Sequence, residues 1–420
     1  MPNEVVVHLD APDLAPTREV GRLRHVRAGS PAVVAFSYSE TWLASNGAFP
    51  IDPALGLFGG DQYAPDGAMA GIFTDAAPDR WGRTLMQRRE AVAARRERRQ
   101  LRRLDDWDYL VGVNDEVRIG ALRLADPESG QFLEASRVAV PPKARLRDLE
   151  HWAQEFERRP PQPNLEEEQA LALLLAPGSS LGGARPKANF IAEDGVLWIA
   201  KFPSRDDVHD VGAWEYLLTR VAADAGITVA PIDLLRLGPR HRTFASRRFE
   251  RNGPARFLYA SAMTLAGKRD GADASYLDVA EAIEQHGEPN SIGTQLEQLF
   301  RRVVLNVLGA NRDDHLRNHG FLRTTHGWRL APAFDLNPAS QKPEHTLALD
   351  ESNQTPDLSL AIQTAPLYRL SETRAKVIVD EVRAALESWN RIAREIELPD
   401  DEIDILTAAF AAAAAGSASS

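Results

Sequence analysis

The sequence contains no cysteine among its 420 residues. This absence excludes a disulfide framework and every metal site that depends on thiolate ligands. No apolar run approaches the roughly 20 residues that a membrane-spanning helix needs. The first residues, MPNEVVVHLDAPD, have neither the basic region nor the apolar core of a signal peptide. We therefore expect a cytoplasmic protein with no membrane partner.

Positive charge is also in deficit, because the formal net charge at pH 7 is −11. Such a balance argues against a protein whose whole surface binds nucleic acid. The arginines are unevenly distributed, and one predicted helix carries a cluster of them: Arg88, Arg89, Arg95, Arg96, Arg98, Arg99, Arg102 and Arg103. Three aspartates follow within the next few residues, which is typical of a solvated surface. A role for this cluster with DNA or an acidic partner stays open.

The length of the chain predicts two or three domains. Short apolar runs between turn signals predict a β-rich subdomain over residues 1–125, and a proline-rich stretch predicts a linker over residues 126–143. Residues 144–265 combine a Gly-rich loop with predicted strands, and residues 266–408 are mainly helical in pattern. The Ala/Ser tail, residues 409–420, is expected to be flexible. The predicted fold class is α+β.

Two acid-bearing loops joined by a short predicted hairpin lie in the second half of the chain. The first loop carries Asp313 and Asn318 in a D-x-x-x-x-N spacing, and Phe334 and Asp335 follow the hairpin. In phosphoryl transfer one acid orients the acceptor hydroxyl, while amide and carboxylate oxygens hold Mg²⁺ against the phosphates. The pattern therefore predicts that Asp313 orients a hydroxyl and that Asn318 and Asp335 bind Mg²⁺.

The same residues have two plainer interpretations. Asp313 and Asn318 could cap a turn, as Asp and Asn often do. His315 and His319 are four residues apart, as in zinc-binding helices, but zinc protease motifs place Glu after the first His, and this sequence has Leu316 there. The turn interpretation stays open, and zinc is disfavoured.

A Gly-rich stretch, GSSLGGARPK, occupies residues 178–187. Small residues let backbone N–H groups approach a phosphate closely, although such a stretch is more often only a turn. Lys201 follows on an apolar predicted strand, where an ammonium group is costly without an anionic partner. ATP phosphates and Glu215 on the next predicted helix would be such partners; the alternative is an edge-strand lysine that points to solvent.

These elements occur in the order found in protein kinases. In detail they resemble the HipA family, the serine/threonine kinase toxins of bacterial toxin–antitoxin systems. The resemblance rests on SSLGGARPK at 179–187, WIAKF at 198–202, NRDDHLRNHG at 311–320 and AFDL at 333–336, with VGRL at 20–23, PDR at 78–80 and GAL at 120–122 in the first half. It covers most of the chain.

The resemblance implies a protein-kinase-like fold with a β-rich N-terminal subdomain and a helical C-terminal lobe. It assigns Asp313 as the catalytic base, Asn318 and Asp335 as Mg²⁺ ligands, and Lys201 as the lysine that binds the phosphates of ATP. The wider ATP site would comprise Gly182, Gly183, Ala184, Arg185, Pro186, Lys187, Lys201, Met263, Thr264, Leu265, His315, Asn318, Phe334 and Asp335. The residues at 263–265 would offer backbone groups to the adenine.

Ser180 occupies the place of the serine that family members autophosphorylate, and the adjacent Ser179 could share that role. In the family this modification expels the loop and switches the kinase off, which is physically reasonable because a phosphate dianion competes with ATP for the same amides and lysine. The implied partners are a HipB-like helix-turn-helix antitoxin and a protein substrate such as an aminoacyl-tRNA synthetase. DNA would be contacted only indirectly, through the antitoxin.

The sequence departs from the family pattern in two places. Pro186 precedes Lys187 where many members have an acidic or polar residue, and the connection at 263–265 has no acidic residue. Neither change removes a catalytic group. Two other functions stay open: a kinase-inactive corepressor that holds a DNA-binding antitoxin, and a small-molecule kinase. Retention of the four proposed active residues argues against the inactive version.

Overall fold

The computed structural model describes residues 2–14, 16–27, 32–65, 68–135, 140–162, 164–175, 183–339 and 341–416. The chain forms two compact units. Unit 1 comprises Met1–Asp206 and Ala245–Ala260, and unit 2 comprises Asp207–Phe244 and Ser261–Ser420. The predicted boundary at 125/126 lies within unit 1, while the predicted boundary at 265/266 lies close to the division at 260/261.

The strands and helices are as follows. The strands are β1 Glu4–Leu9, β2 Arg18–Arg27, β3 Val33–Tyr38, β4 Leu122–Ala125, β5 Lys187–Ile191, β6 Leu197–Lys201, β7 Ile232–Leu235, β8 Thr243–Arg247, β9 Arg251–Asn252, β10 Ala255–Arg256, β11 Tyr259–Ser261, β12 Gly320–Thr324 and β13 Gly327–Leu330. The helices are α1 Glu40–Leu43, α2 Gly71–Ala76, α3 Arg80–Glu97, α4 Asp106–Val111, α5 Leu146–Arg158, α6 Leu165–Leu175, α7 Val211–Asp224, α8 Ala262–Leu265, α9 Tyr276–His286, α10 Ile292–Leu308, α11 Leu358–Gln363, α12 Glu372–Leu386, α13 Trp389–Glu395 and α14 Asp400–Gly416. Within the described ranges, no helix combines the length and apolar character needed to cross a membrane.

The first sheet of unit 1 has the strand order β3-β2-β1-β4, and its three neighbouring pairs are antiparallel. Val5, Val7 and Leu9 lie on one face of β1, because alternate residues of a strand point to the same side. All three are buried. Strands β1 to β3 lie within residues 4–38, whereas helices α1 to α4 lie within residues 40–111, so the region predicted to be β-rich is a mixture of strand and helix. Helix α3 begins directly after Pro78-Asp79, and the Asp79 side chain caps it by accepting the N–H of Gly82 at 3.0 Å.

The apolar run at residues 117–124, a pattern that indicates a strand, forms a strand only from Leu122 onward. Upstream, the Asn114 side chain accepts the N–H of Glu116 at 2.9 Å and closes a turn. Gly120 has a φ of +76°, a conformation that an extended strand does not contain. The apolar run is therefore buried as a turn, not as a ladder of paired residues.

A network of buried arginines explains why residues 245–260 belong to unit 1. The Arg248 guanidinium donates to Glu250 Oε1 at 2.8 Å and to Asn189 Oδ1 at 2.6 Å. Arg251 donates to the carbonyls of Gly120 at 2.9 Å and Arg118 at 2.6 Å. Buried charges are tolerated only when they are paired and hydrogen-bonded, so these contacts bind the segment to the N-terminal half of unit 1.

Strands β5 and β6 form the predicted antiparallel hairpin, and β6 lies between β5 and β8. The division between the two units falls inside β8. In the hairpin register Lys187 is directly opposite Lys201. Directly opposite residues of an antiparallel pair share a face of the sheet, so the two lysines of this region are neighbours.

Unit 2 contains the predicted helical region. Helix α10 is its buried centre, with Leu296, Leu299, Phe300 and Val303 all fully buried. Helix α9 begins with a reciprocal capping box, in which the Ser275 and Asp278 side chains accept each other's backbone N–H groups. The last residues of α10 lead directly into the first of the two acid-bearing loops.

Residues 409–416, predicted as the start of a flexible tail, belong to α14. Alanine has the highest helix propensity of all residues, and acidic residues in the first turn of α14 favour its positive N-terminal end. The ring of Phe410 packs against Trp389 with a centroid distance of 5.2 Å. A low-complexity composition is therefore compatible here with a packed helix.

Candidate phosphoryl-transfer site

The first part of the first acid-bearing loop is fixed by hydrogen bonds. It leaves α10 through Ala310, a non-glycine residue with a φ of +52°. The carbonyl of Ala310 accepts the N–H of Ala339 at 2.8 Å, and the carbonyl of Arg312 accepts the N–H of Thr346 at 3.0 Å. The chain that follows Asp335 thus returns across this loop and holds its backbone in place.

Asp313 points away from this packing, and its side chain is 62% exposed. Its Oδ1 atom accepts a hydrogen bond from the ammonium group of Lys342. An exposed carboxylate on a fixed backbone is accessible to an incoming hydroxyl group. The position therefore suits the role predicted for Asp313.

The neighbouring Asp314 is buried and organises the interior of the loop. Its Oδ2 atom lies 2.8 Å from Nε2 of His319 and accepts hydrogen bonds from Asn306 Nδ2 at 2.7 Å and Tyr276 Oη at 3.0 Å. Burial by itself raises the pKa of the Asp314 carboxyl, but the charge and hydrogen bond of His319 and the charge of His315 lower that pKa below its ordinary value. Asp314 is thus an ionised anchor that the sequence analysis did not identify.

Asn318 ends a short 3-10 turn, Leu316–Asn318, and is 4% exposed. Its Oδ1 atom is buried and has no hydrogen-bond partner among the described residues. A buried amide oxygen without a partner costs about 1–3 kcal/mol. Native proteins seldom accept that cost unless a water, an ion or a ligand supplies the missing contact.

Asp335 lies beyond the β12–β13 hairpin and has a φ of +61°. Left-handed backbone is uncommon for residues other than glycine and often marks a functional position. The N–H of Ala331 bonds the carbonyl of Gly320 at 2.8 Å, which closes the open end of the hairpin. Asn318 precedes that end and Asp335 follows it, so both predicted metal ligands emerge from the same end of the hairpin.

The ligand set suits a hard cation that keeps phosphate and water ligands. An amide oxygen from Asn318 and a carboxylate from Asp335 are the one or two protein groups that Mg²⁺ usually takes beside phosphates. Over the described ranges no three His, Cys, Asp or Glu side chains are arranged to hold a metal ion. The Nε2 atom of His319, one of the two histidines of the disfavoured zinc interpretation, lies 2.8 Å from Asp314 Oδ2.

The Gly-rich loop is described only from Gly183 onward, so Ser179, Ser180 and Gly182 lie outside the described residues. Gly183 has a φ of +73°, and its carbonyl accepts the Lys187 ammonium at 3.3 Å. That ammonium also lies 2.6 Å from Asp79 Oδ2. Lys187 was predicted to contact ATP, and its charge is balanced by Asp79 inside unit 1. This balance is needed because Lys187 lies directly opposite Lys201, and like charges at opposite positions repel each other.

Lys201, at the end of β6, is 7% exposed, so it does not have the solvent-facing position that the alternative interpretation required. Glu215 is 2% exposed on α7. Lys201 belongs to unit 1 and Glu215 to unit 2, and the pairing of the two stays a prediction. The residues predicted to contact adenine, Met263, Thr264 and Leu265, form most of the short helix α8.

The arginine cluster is largely neutralised by carboxylates within unit 1. Arg88 is buried, and its Nε atom lies 2.7 Å from Glu167 Oε1. The other pairs are Arg96 with Glu168 at 3.1 Å, Arg99 with Glu97 at 2.6 Å and Arg102 with Asp108 at 2.7 Å. Much of the positive charge that suggested a nucleic-acid surface is therefore paired with carboxylates of the same chain.

Comparison with known proteins identifies two family domains in the chain. Residues 14–108 match the HipA N-terminal domain, and residues 179–389 match the HipA-like C-terminal domain. A Haemophilus influenzae protein described as "Putative kinase" is 30% identical over 191 residues, which are 40% of this chain and 54% of that protein. The chain thus spans about half the length of this curated relative.

A solved structure of similar fold aligns with nearly the whole chain. HipA of Shewanella oneidensis MR-1, from a toxin–antitoxin complex with HipB and operator DNA, aligns over 98% of this chain and 96% of its own, with a TM-score of 0.67 and 18% identity. The Helicobacter pylori proinflammatory kinase CtkA aligns over 50% of this chain and 95% of its own, with a TM-score of 0.33 and 16% identity. The fold is α+β and kinase-like, as predicted. The chain belongs to the HipA family, which confirms the resemblance seen in the sequence.

Proposed function

We propose that this chain is an ATP-dependent serine/threonine protein kinase that acts as the toxin of a bacterial toxin–antitoxin system. The observation that carries the proposal is the buried Oδ1 atom of Asn318, which has no hydrogen-bond partner among the described residues. A Mg²⁺ ion bound by Asn318 and Asp335 would supply the contact that this oxygen lacks. It would also give a functional reason for the left-handed backbone of Asp335.

The residues of the two loops have separate roles in the proposed reaction. Asp313 accepts a hydrogen bond from the acceptor hydroxyl and takes its proton as the hydroxyl oxygen attacks the γ-phosphorus. Asn318 and Asp335 hold Mg²⁺, which neutralises charge on the phosphates when bound. Lys201 binds the phosphates, and its buried position makes an anionic partner necessary. Asp314 positions the loop through its contacts with Tyr276, Asn306 and His319.

Regulation follows from the serines of the Gly-rich loop. We assign Ser180, with Ser179 as the alternative, as the site of autophosphorylation that switches the kinase off. The support is chemical: a dianion in a loop built to bind phosphate competes with the triphosphate of ATP.

The expected partners are a HipB-like helix-turn-helix antitoxin and a protein substrate of the translation machinery, such as an aminoacyl-tRNA synthetase. The antitoxin is supported by the Shewanella oneidensis relative, whose structure contains HipB and operator DNA. The net charge of −11 and the paired arginines fit a protein that reaches DNA through its antitoxin.

The direct test is phosphate transfer by the purified full-length chain. The protein is incubated with Mg²⁺ and γ-labelled ATP, alone and with a cytosolic extract, and modified residues are located by mass spectrometry. We expect phosphate on Ser180 or Ser179 and a labelled protein in the extract. An Asp313→Asn protein is the control and should transfer none. Absence of transfer by the unmodified chain, or equal transfer by both proteins, contradicts the proposal.

A further inference from the structure

One of the two carboxylate oxygens of the proposed base, Asp313, forms an ion pair with a lysine side chain. The Lys342 ammonium bonds Oδ1 of Asp313, and the two side chains are 43% and 62% exposed. Exposed ion pairs of this kind usually contribute little to stability. A contribution to the fold is therefore a weak explanation for the contact.

The backbone around Lys342 is held against the loop that carries Asp313. The carbonyl of Lys342 accepts the Arg312 guanidinium, and the N–H of Lys342 bonds the carbonyl of Ala339 at 3.0 Å. Ala339 in turn bonds Ala310, and Thr346 bonds Arg312, as described above. Lys342 is thus presented to Asp313 by a fixed segment, unlike a lysine on a mobile surface.

A cation at this place would favour the chemistry proposed for Asp313. In phosphoryl transfer negative charge spreads over the three equatorial oxygens of the phosphoryl group, which lies in line with the acceptor oxygen. That acceptor oxygen must lie within hydrogen-bonding distance of Asp313, so the transferred group passes close to the carboxylate. A side chain that already reaches Asp313 Oδ1 can reach the phosphoryl oxygens by a small rotation.

We propose that Lys342 is a catalytic residue that binds the γ-phosphoryl group during transfer, an inference that rests on the proposed kinase function. The acceptor oxygen forms a bond to the γ-phosphorus, the bond from that phosphorus to the β–γ bridging oxygen breaks, and ADP leaves with the electron pair. The acceptor proton passes to Asp313, whose Oδ2 atom is not the one bound by Lys342. Lys342 donates a hydrogen bond to an equatorial phosphoryl oxygen, and because this contact is made as the phosphoryl group moves from ADP to the acceptor, it favours the transition state over bound ATP.

The test compares the full-length protein with Lys342→Ala and Lys342→Arg. Calorimetry measures binding of MgADP alone and of MgADP with aluminium fluoride, a mimic of the phosphoryl group in transfer. Lys342→Ala should bind MgADP like the original protein but lose about tenfold or more in affinity for the fluoride complex, the loss of one charge-assisted hydrogen bond. Lys342→Arg should recover part of that loss. In turnover, Lys342→Ala should lower kcat with little change in the KM for ATP.

Lys376 offers a matched control, because it is also an exposed lysine paired with a carboxylate, that of Glu372. Lys376→Ala should change neither titration. Equal affinity of Lys342→Ala and the original protein for the fluoride complex, or faster turnover by Lys342→Ala, overturns the catalytic role while the kinase function stands. Failure of the original protein, prepared without phosphate on Ser179 or Ser180, to bind either complex overturns the kinase function and this inference together.

Discussion

The ammonium nitrogen of Lys187 lies 2.6 Å from Oδ2 of Asp79, with the two side chains 0% and 9% exposed. Asp79 caps α3 through its other oxygen, and the indole of Trp81 donates to the carbonyl of Lys187 at 3.0 Å. The pair therefore connects the start of α3 to the strand that follows the Gly-rich loop. Asp79 lies in the part that matches the HipA N-terminal domain, and Lys187 in the part that matches the C-terminal domain.

The first prediction concerns this pair. Asp79→Ala removes the carboxylate partner of a buried ammonium together with the cap of α3, which should lower the unfolding free energy of unit 1 by about 3–5 kcal/mol. Urea denaturation followed by tryptophan fluorescence measures the change, since Trp81 adjoins the pair. Asp61→Ala, which removes an exposed partner of Arg24, is the control and should have little effect. Equal effects of the two substitutions would show that the buried pair contributes no more to the unfolding free energy than an exposed pair does.

The second prediction concerns the two catalytic acids. Asp313→Asn and Asp335→Asn should each abolish phosphoryl transfer while the fold is kept, because Asp313 is exposed and Asp335 is half-buried. Transfer is measured with labelled ATP, and folding by circular dichroism. Asp380→Asn changes an acid that is 74% exposed on α12 and should retain activity. Wild-type transfer by either catalytic variant would end the kinase assignment.

The sequence was informative where function depends on local spacing. The D-x-x-x-x-N pattern placed Asp313 and Asn318 on one loop, and an apolar run predicted the strand that carries Lys201. The sequence assigned no role to Asp314, because the contacts that bury Asp314 come in part from Tyr276, 38 residues away. The Asp79–Lys187 pair spans 108 residues and likewise leaves no local pattern. Long-range pairing of charges was the information that the sequence lacked.

The third prediction concerns pH and His345, which is 2% exposed. Burial lowers the pKa of His345 to about 4; the charge of Asp314 opposes this shift and that of Arg312 adds to it. A base whose pKa is lower in the folded state is protonated more readily when unfolded. Its contribution to stability is therefore complete above its ordinary pKa of 6.5 and is lost as the pH falls towards 4.

Between pH 7 and pH 5 this effect should lower the unfolding free energy by about 2 kcal/mol. His345→Gln should remove most of that dependence, as measured by urea denaturation at both pH values. Asp314 does not interfere, because its lowered carboxyl pKa makes its contribution disappear only at still lower pH. His326→Gln, at an exposed position, is the control and should leave the dependence unchanged. An identical pH dependence in His345→Gln would refute the assignment.

The fourth prediction concerns DNA. Because Arg96, Arg99 and Arg102 are paired with carboxylates and the net charge is −11, the isolated protein should bind DNA weakly at physiological salt. Fluorescence anisotropy with a labelled duplex measures the affinity across a series of salt concentrations. Tight binding without any partner, falling steeply as salt rises, would show that the arginine cluster is a DNA-binding surface.

The last prediction concerns the proposed switch at Ser180. Ser180→Ala removes one hydroxyl, worth about 0.5–1.5 kcal/mol as a neutral hydrogen bond, so ATP affinity should stay within about tenfold of its original value. Ser180→Asp places a negative charge where the triphosphate would bind, and repulsion in a partly desolvated site should cost clearly more. Calorimetric titration with MgATP compares both variants with the original and the phosphorylated protein.

Two further variants show whether the effect of Ser180→Asp depends on the position of the added charge and on which of the two serines is changed. Ser352→Asp adds the same charge at an exposed position and should bind ATP normally. Ser179→Asp tests the neighbour: a larger loss there than in Ser180→Asp would move the switch to Ser179. Equal affinity in all forms would mean that the Gly-rich loop does not gate nucleotide binding. Ser180 would then be an ordinary turn serine, since a phosphate that does not compete with ATP cannot switch the enzyme off in the proposed way.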